Sequence, residues 1–387
     1  MISKRVQGFT ESVIREMTRV NNQYGGINLA QGMPNFPPPR ELLEAAHRAI
    51  EGDFHQYAIT WGTLRLRRAI ADKYQRFYGM ELDPDLHITV CCGSTETMLA
   101  TLLAVLNPGD EVIIFEPFYE NYGPGCIIAG AEPVFVPLEP PDFRFDPDRL
   151  AAAVTARTRA IVFNSPNNPS GKVFSREELQ VIAGLCLRHD LLAITDEIYE
   201  HIVYDGRSHT PIATLPGMAE RTVTISGISK SYSVTGWRIG YAVASPELSL
   251  GIRRAHDFIT VGAPHPLQEA AVTALELPDS YYVSLREGYQ RRRDLLLGKV
   301  IEAGFVAYEP KGAYYILTDA AHFFPRYGSR NDHEFAMFLV KEIGVATVPG
   351  SSFYAHGELG RTKIRFCFPK TDDMLIEAGR RLQKLAR

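Results

Sequence analysis

The sequence predicts an α/β fold, with a mostly parallel central sheet flanked by helices and a smaller α+β unit after it. Three observations carry this reading. Between residues 87 and 227, short runs rich in Ile, Val, Thr and Phe alternate with longer helical stretches, the pattern of βα units whose strands are buried on both faces. Near residue 281 the rhythm gives way to charged helical text, LREGYQRRRDLLLGKVIEAG (285–304). At 387 residues the chain is long enough for one large domain and one smaller one. We place the large domain at 45–280, and we assign 1–44 and 281–387 to an N-terminal arm and a small C-terminal domain.

Each element follows in chain order. MPNFPPPRE (33–41) is extended, because proline fixes φ and removes a backbone donor. HITVCC (87–92) is a strand that turns at Gly93 into the helix TETMLATLLAVL (95–106), and EVIIF (111–115) is the next strand. EPVFVPLEPPDFRFDP (132–147) is Pro-rich but too aromatic for a flexible tether. RAIVFNSP (159–166) leads through a loop to the helix SREELQVIAGLCLRHD (175–190), then to the strands LLAITD (191–196) and RTVTISG (221–227). The last third holds strand-like GAYYILTD (312–319), helix-like DHEFAMFLVKEIG (332–344) and strand-like KIRFCF (363–368).

Composition narrows the function classes. The net charge is −4 with both signs interspersed; without a basic stripe, nucleic acid and anionic membranes are poor partners. No stretch has the length of a membrane span, and the opening MISKRVQGFT lacks the apolar core of a secretion signal. The five cysteines are odd in number, form no CxxC and sit mostly in apolar runs. They read as reduced thiols of a cytoplasmic protein, and no Cys/His spacing suits a metal. GxGxxG after a strand, GxxxxGK[ST], HExxH and GxSxG are all absent. Gly227 keeps Lys230 from completing SxxK.

Four patches bear chemistry. In CCGSTETM (91–98), Ser94 or Thr95 can cap a helix whose free N–H groups offer an anion site, although an ordinary capped turn reads the same way. In SPNNPSG (165–171), Asn168 sits in a strand-to-helix loop, where it can serve a ligand or only its own turn. In LLAITDEIYE (191–200), Asp196 ends a buried strand, where ligands of open α/β sheets bind and where a carboxylate needs a cation, and Tyr199 follows three residues later. In TISGISKSYSVTGWRIGY (224–241), Lys230 lies among small residues and Arg238 eight positions on. A lysine in such a pocket loses its proton more readily and can condense with an aldehyde, and the arginine suits phosphate. An anion cradle, an imine-forming amine and a carboxylate that needs a cation together fit pyridoxal 5′-phosphate.

SKSYSVTGWRIGY, taken with NNPSG and DEIY in this order, resembles the class I/II aminotransferases of pyridoxal-phosphate fold type I, the aspartate aminotransferase superfamily. QYAITWGTLRLRRAIA (56–71) and EPFYENY (116–122) match as well, and the resemblance runs from about residue 27 to 368. It implies that Lys230 bonds to the cofactor aldehyde and shuttles the substrate proton. By the same resemblance Asp196 meets the ring nitrogen, Tyr199 and Asn168 donate to the cofactor's phenolic oxygen, and Tyr119 stacks on the ring. Ser94, Thr95 and Arg238 resemble phosphate ligands. Tyr57 resembles a tyrosine that reaches the phosphate of a neighbouring subunit, which implies a homodimer. Arg365 resembles the clamp on the substrate α-carboxylate, backed by Gly32, although strand alternation alone turns Arg365 toward solvent. Many relatives carry Ser where this chain has Gly227; Ser226 or Ser229 stands nearby to compensate.

The implied reaction is ping-pong transfer of an amino group from an L-amino acid to a 2-oxo acid such as 2-oxoglutarate. Trp61, in a stretch that lines the pocket in relatives, points to aromatic amino acids, methionine, glutamine or kynurenine as donors, with aspartate not excluded; it also suits plain helix packing. The alternative is a lyase or cyclase of the same fold type, which would use the same Lys230.

Overall fold

The computed structural model describes residues 2–9 and 11–386. A short strand, β1 (Ile27–Asn28), precedes seven strands of a central sheet: β2 (Ile88–Cys91), β3 (Glu111–Glu116), β4 (Glu132–Pro137), β5 (Thr158–Asn164), β6 (Leu192–Asp196), β7 (Thr222–Gly227) and β8 (Gly240–Val243). Five short strands follow: β9 (Val306–Tyr308), β10 (Tyr315–Asp319), β11 (Val345–Ala346), β12 (Val348–Pro349) and β13 (Lys363–Cys367).

The central sheet has the order β2-β8-β7-β6-β5-β3-β4. Its pairs are parallel from β7 through to β4, whereas β8 runs antiparallel to both β2 and β7. Two of these strands are not among the sequence expectations. β4 carries Pro133 and Pro137, which its place at the sheet edge tolerates because one side of it needs no donors. β8, GYAV, is four residues long and starts on glycine, so it offers little periodicity.

Alternation along the strands feeds two cores. Ile113, Phe115, Ile161 and Phe163 pack with Leu179 and Ile182 of the helix Arg176–His189. Val112, Ile114 and Val162 point the other way, onto Met98 and Leu102 of the helix Ser94–Val105 and Ile252 of the helix Pro246–Ile259. The sheet is thus covered on both faces. The carboxyl ends of β2, β3, β5, β6 and β7 (Cys91, Glu116, Asn164, Asp196 and Gly227) share one edge, where ligands bind in such sheets.

A second, antiparallel sheet has the order β12-β13-β10-β9. The N-terminal segment is built into its packing. Met17 and Val20, on the buried face of the helix Val13–Tyr24, share a core with Ile316, Val345 and Ile364, and β1 pairs in parallel with β11. β13 corrects one expectation: all five of its residues are buried, so Arg365 does not face solvent. The strand lies between β12 and β10 and is crossed by the N-terminal segment, with the Cys367 N–H donating to the Leu29 carbonyl.

Candidate active site

The carboxyl edge of the sheet opens into a cavity of about 760 Å³ lined by Ser94, Thr95, Tyr119, Asn168, Asp196, Tyr199, Lys230 and Arg238, with Gly32 from the N-terminal segment. The architecture explains the convergence. Asp196 ends β6, and Asn168 and Ser94 follow β5 and β2. Lys230 and Arg238 both lie on the 228–239 connection between β7 and its antiparallel neighbour β8.

Asp196 is almost fully buried. The Tyr122 hydroxyl donates to its Oδ2 at 2.7 Å, and the Ile198 N–H donates to Oδ1 at 3.2 Å. Burial raises its carboxyl above the usual carboxylate range, against the pull of Tyr122, of the Ile198 N–H and of the Lys230 charge. Lys230 reaches solvent only in part, through the cavity. Desolvation lowers its amine to about 8; Asp196 opposes the drop, and Arg238 and Arg365 add to it. Asn164 joins two pieces of the wall, because its amide donates to the Asp196 carbonyl at 2.7 Å and its Oδ1 accepts the Asn168 N–H at 2.7 Å.

The start of the helix Ser94–Val105 differs from expectation. Its N-cap is Gly93, at φ +82°, with no side-chain cap. Ser94 Oγ instead donates to the Ser226 carbonyl at 3.1 Å. The backbone here is tightly apposed: a Cβ on Gly93 would sit 2.3 Å from Arg238 Nη2, and one on Gly240 would sit 2.4 Å from the Ser94 nitrogen. Gly227 is equally constrained, since a Cβ there would lie 2.7 Å from the Ile239 carbonyl oxygen. Of its two neighbours, Ser226 turns away to donate to Glu200 at 2.6 Å, and Ser229 lines the cavity.

Arg365 stands just behind the cavity wall. Its Nη1 donates to Asn168 Oδ1 at 2.9 Å and its Nη2 to the Ala30 carbonyl. The guanidinium carbon lies 4.4 Å from the Tyr315 ring centre and 4.8 Å from that of Phe353, and Nε is buried without a partner. Tyr315 separates Arg365 from the open space. Its hydroxyl is 2.9 Å from that of Tyr199 and presses so closely on Gly32 that a Cβ there would come within 2.2 Å of it.

Two expected residues lie outside the cavity of their own chain. Tyr57 is 87% exposed. Trp61 packs under Arg253, at 5.2 Å, with its indole nitrogen buried and unpartnered. Sequence reasoning missed Tyr122 and Tyr315. Tyr122 had a faint signal, as the last residue of EPFYENY.

The sequence matches the family aminotransferase class I and II over residues 24–382. The chain belongs to that family. The enzyme is a pyridoxal-phosphate-dependent transaminase. It is similar to the structure of the N-succinyldiaminopimelate aminotransferase of Mycobacterium tuberculosis (39% identity, all of both chains covered, TM-score 0.95) and to that of a methionine aminotransferase of Escherichia coli (34% identity, all of both chains covered, TM-score 0.94). It is also 35% identical to kynurenine–oxoglutarate transaminase 1 of Homo sapiens, over 99% of this chain and 97% of that one. Among the described residues of the aminotransferase, no helix is long and apolar enough to cross a membrane.

The residues fit the family's cofactor. An amine held near pH 8 suits an aldehyde, and a buried carboxylate with raised affinity for protons suits a protonated ring nitrogen. Gly93 and Gly240 let Arg238 and the start of the helix Ser94–Val105 come together without a side chain between them, and this pairing of a guanidinium with a helix N-terminus on the cavity wall suits a phosphate.

Proposed function

We propose that this aminotransferase holds pyridoxal 5′-phosphate on Lys230 and moves the amino group of an L-amino acid to a 2-oxo acid in two half-reactions in one cavity. The observation that carries this reading is the pairing of a softened Lys230 amine with a buried Asp196 carboxylate on a shared wall. When bound, the cofactor supplies an aldehyde and an electron-withdrawing ring that makes the substrate α-hydrogen removable.

The chain's own residues do the rest. Arg238, Ser94, Thr95 and Ser229 hold the phosphate, and Tyr119 covers the ring. Asp196, steadied by Tyr122, faces the ring nitrogen and favours its protonated state. Tyr199 and Asn168 donate to the phenolic oxygen. Arg365 takes the substrate α-carboxylate beside Gly32 once Tyr315, which stands between it and the cavity, moves aside, and so fixes which α-bond stands ready to break, a positional effect of large consequence for rate. With the cofactor and substrate bound, Lys230 would be the residue to take the α-proton and return it at the neighbouring carbon. An amine that titrates near pH 8 does both at neutral pH.

We further propose a homodimer in which Tyr57 completes the partner's phosphate site, supported by its 87% exposure away from its own cavity. We propose that residues 45–280 form one domain and that 1–44 with 281–387 form the other, so that the cavity lies where they meet. Four of the five cysteines are buried thiols, which suits a cytoplasmic enzyme. The donors are aromatic amino acids, methionine, glutamine or kynurenine, with aspartate open, and 2-oxoglutarate is the acceptor.

The test is a panel of amino donors with 2-oxoglutarate or pyruvate, read by the cofactor's visible spectrum, followed by borohydride reduction and peptide mapping. A reversible spectral change and a reduced adduct on Lys230 are expected. Consumption of a donor with ammonia release and no need for an acceptor would mark a lyase instead.

A further inference from the structure

Once Lys230, Arg238 and Arg365 have been given roles, one cation on the cavity wall is left without one among the described residues: Arg15. It sits in the first turn of the helix Val13–Tyr24. The other charges of that segment are engaged, Arg19 with Glu11 at 3.1 Å and Glu16 with His333 at 3.7 Å. Among the described residues, no carboxylate lies within ion-pair distance of Arg15. Glu120, on the same wall, accepts the Ser12 hydroxyl on one oxygen, keeps its charge and makes no ion pair with Arg15. Burial, Glu120 and Asp196 raise the Tyr119 phenol, and Arg15, from its place on the cavity wall, partly offsets them. Apolar groups (Phe9, Ile14, Leu99 and Ile128) line the same cavity.

We propose that Arg15 is a specificity residue that reads a second, distal carboxylate on a dicarboxylic substrate whose methylene chain lies along the apolar wall. This rests on the transaminase reading above and deepens it. Trp61 stands away from the cavity of its own chain, whereas Arg15 lines it. A free guanidinium favours a carboxylate through charge-assisted, planar hydrogen bonding. It leaves substrates without a distal acid untouched.

The test uses amine-charged holoenzyme and compares 2-oxoglutarate with 2-oxohexanoate, a chain of similar length without the second acid. In single-turnover experiments the wild type favours 2-oxoglutarate. Because Arg15 is exposed and its pairing is screened, Arg15→Gln lowers kcat/KM for 2-oxoglutarate by about two- to fivefold. The same variant leaves 2-oxohexanoate unchanged, and Arg15→Lys recovers part of the loss. An equal fall for both acceptors, or a preference that survives in Arg15→Gln, overturns the proposal while the transaminase reading stands, because wild-type turnover of 2-oxohexanoate reports that reading separately. Failure of the wild type with both acceptors overturns the two together.

Discussion

Lys230→Met in the cofactor-free protein isolates the strain of holding an amine at this site. Burial lowers the Lys230 amine from 10.5 to about 8. At about 1.4 kcal/mol per pH unit, this corresponds to on the order of 3 kcal/mol of native-state destabilisation while the lysine is charged. The sign follows from proton counting. Below pH 8 both the folded and the unfolded chain carry the proton, and the full penalty is present. Between pH 8 and 10.5 the unfolded chain binds a proton that the folded chain has released, so stability climbs with pH, and above 10.5 the penalty is gone. Methionine has a similar length and no charge, so it removes the penalty. The attraction of Asp196 already stands within that shift, so the gain at pH 7 stays on the order of 3 kcal/mol. Thermal unfolding of apoprotein at pH 7 and pH 10.5 is the assay. The variant should melt a few degrees above the wild type at pH 7 and together with it at pH 10.5. A gain of equal size at both pH values, or a loss at pH 7, would refute the view that burial of the ammonium strains this site.

Gly93→Ala forces a side chain onto a backbone at φ +82° and into the Arg238 guanidinium, 2.3 Å away. Loss of a charge-assisted anchor should weaken pyridoxal 5′-phosphate binding roughly 10- to 100-fold. Binding of pyridoxal, which has no phosphate, should be much less affected, and equilibrium dialysis of the two compounds checks the difference. Tyr315→Phe removes the hydroxyl 2.9 Å from Tyr199 but keeps the ring over Arg365. If the Tyr199 proton is committed to the cofactor, Tyr315 is the donor in that pair. Its loss should then raise the pH midpoint of the cofactor's visible absorbance by about half a unit, on the order of 0.7 kcal/mol. An unmoved midpoint in a spectrophotometric titration would separate Tyr315 from Tyr199.

The sequence displays what local pattern encodes. The buried strands β2, β3, β5, β6 and β7 are short runs rich in Ile, Val, Thr and Phe, and the small-residue setting of Lys230 and the strand-end position of Asp196 are visible without coordinates. Features that depend on distant partners are hidden. Arg365 reads as solvent-facing because alternation assumes one wet face, yet β13 is covered by β12, β10, Asn168 and the N-terminal segment. Tyr122 and Tyr315 look like core aromatics, and only the fold sets one against Asp196 and the other between Tyr199 and Arg365. The engagement of the helix Val13–Tyr24 in the second core is likewise a tertiary fact, since its partners lie some three hundred residues away.

The placement of Lys230 and Arg238 on one β7–β8 connection has an evolutionary corollary. Insertions between 228 and 239 would detune nucleophile and anion anchor together, so this hairpin should resist length change in any descendant that keeps the chemistry. Part of the cavity wall is supplied by a separate piece of chain, the N-terminal helix and the residues just before it. Preference for new metabolites is therefore free to drift by substitutions there, without disturbing the reactive machinery.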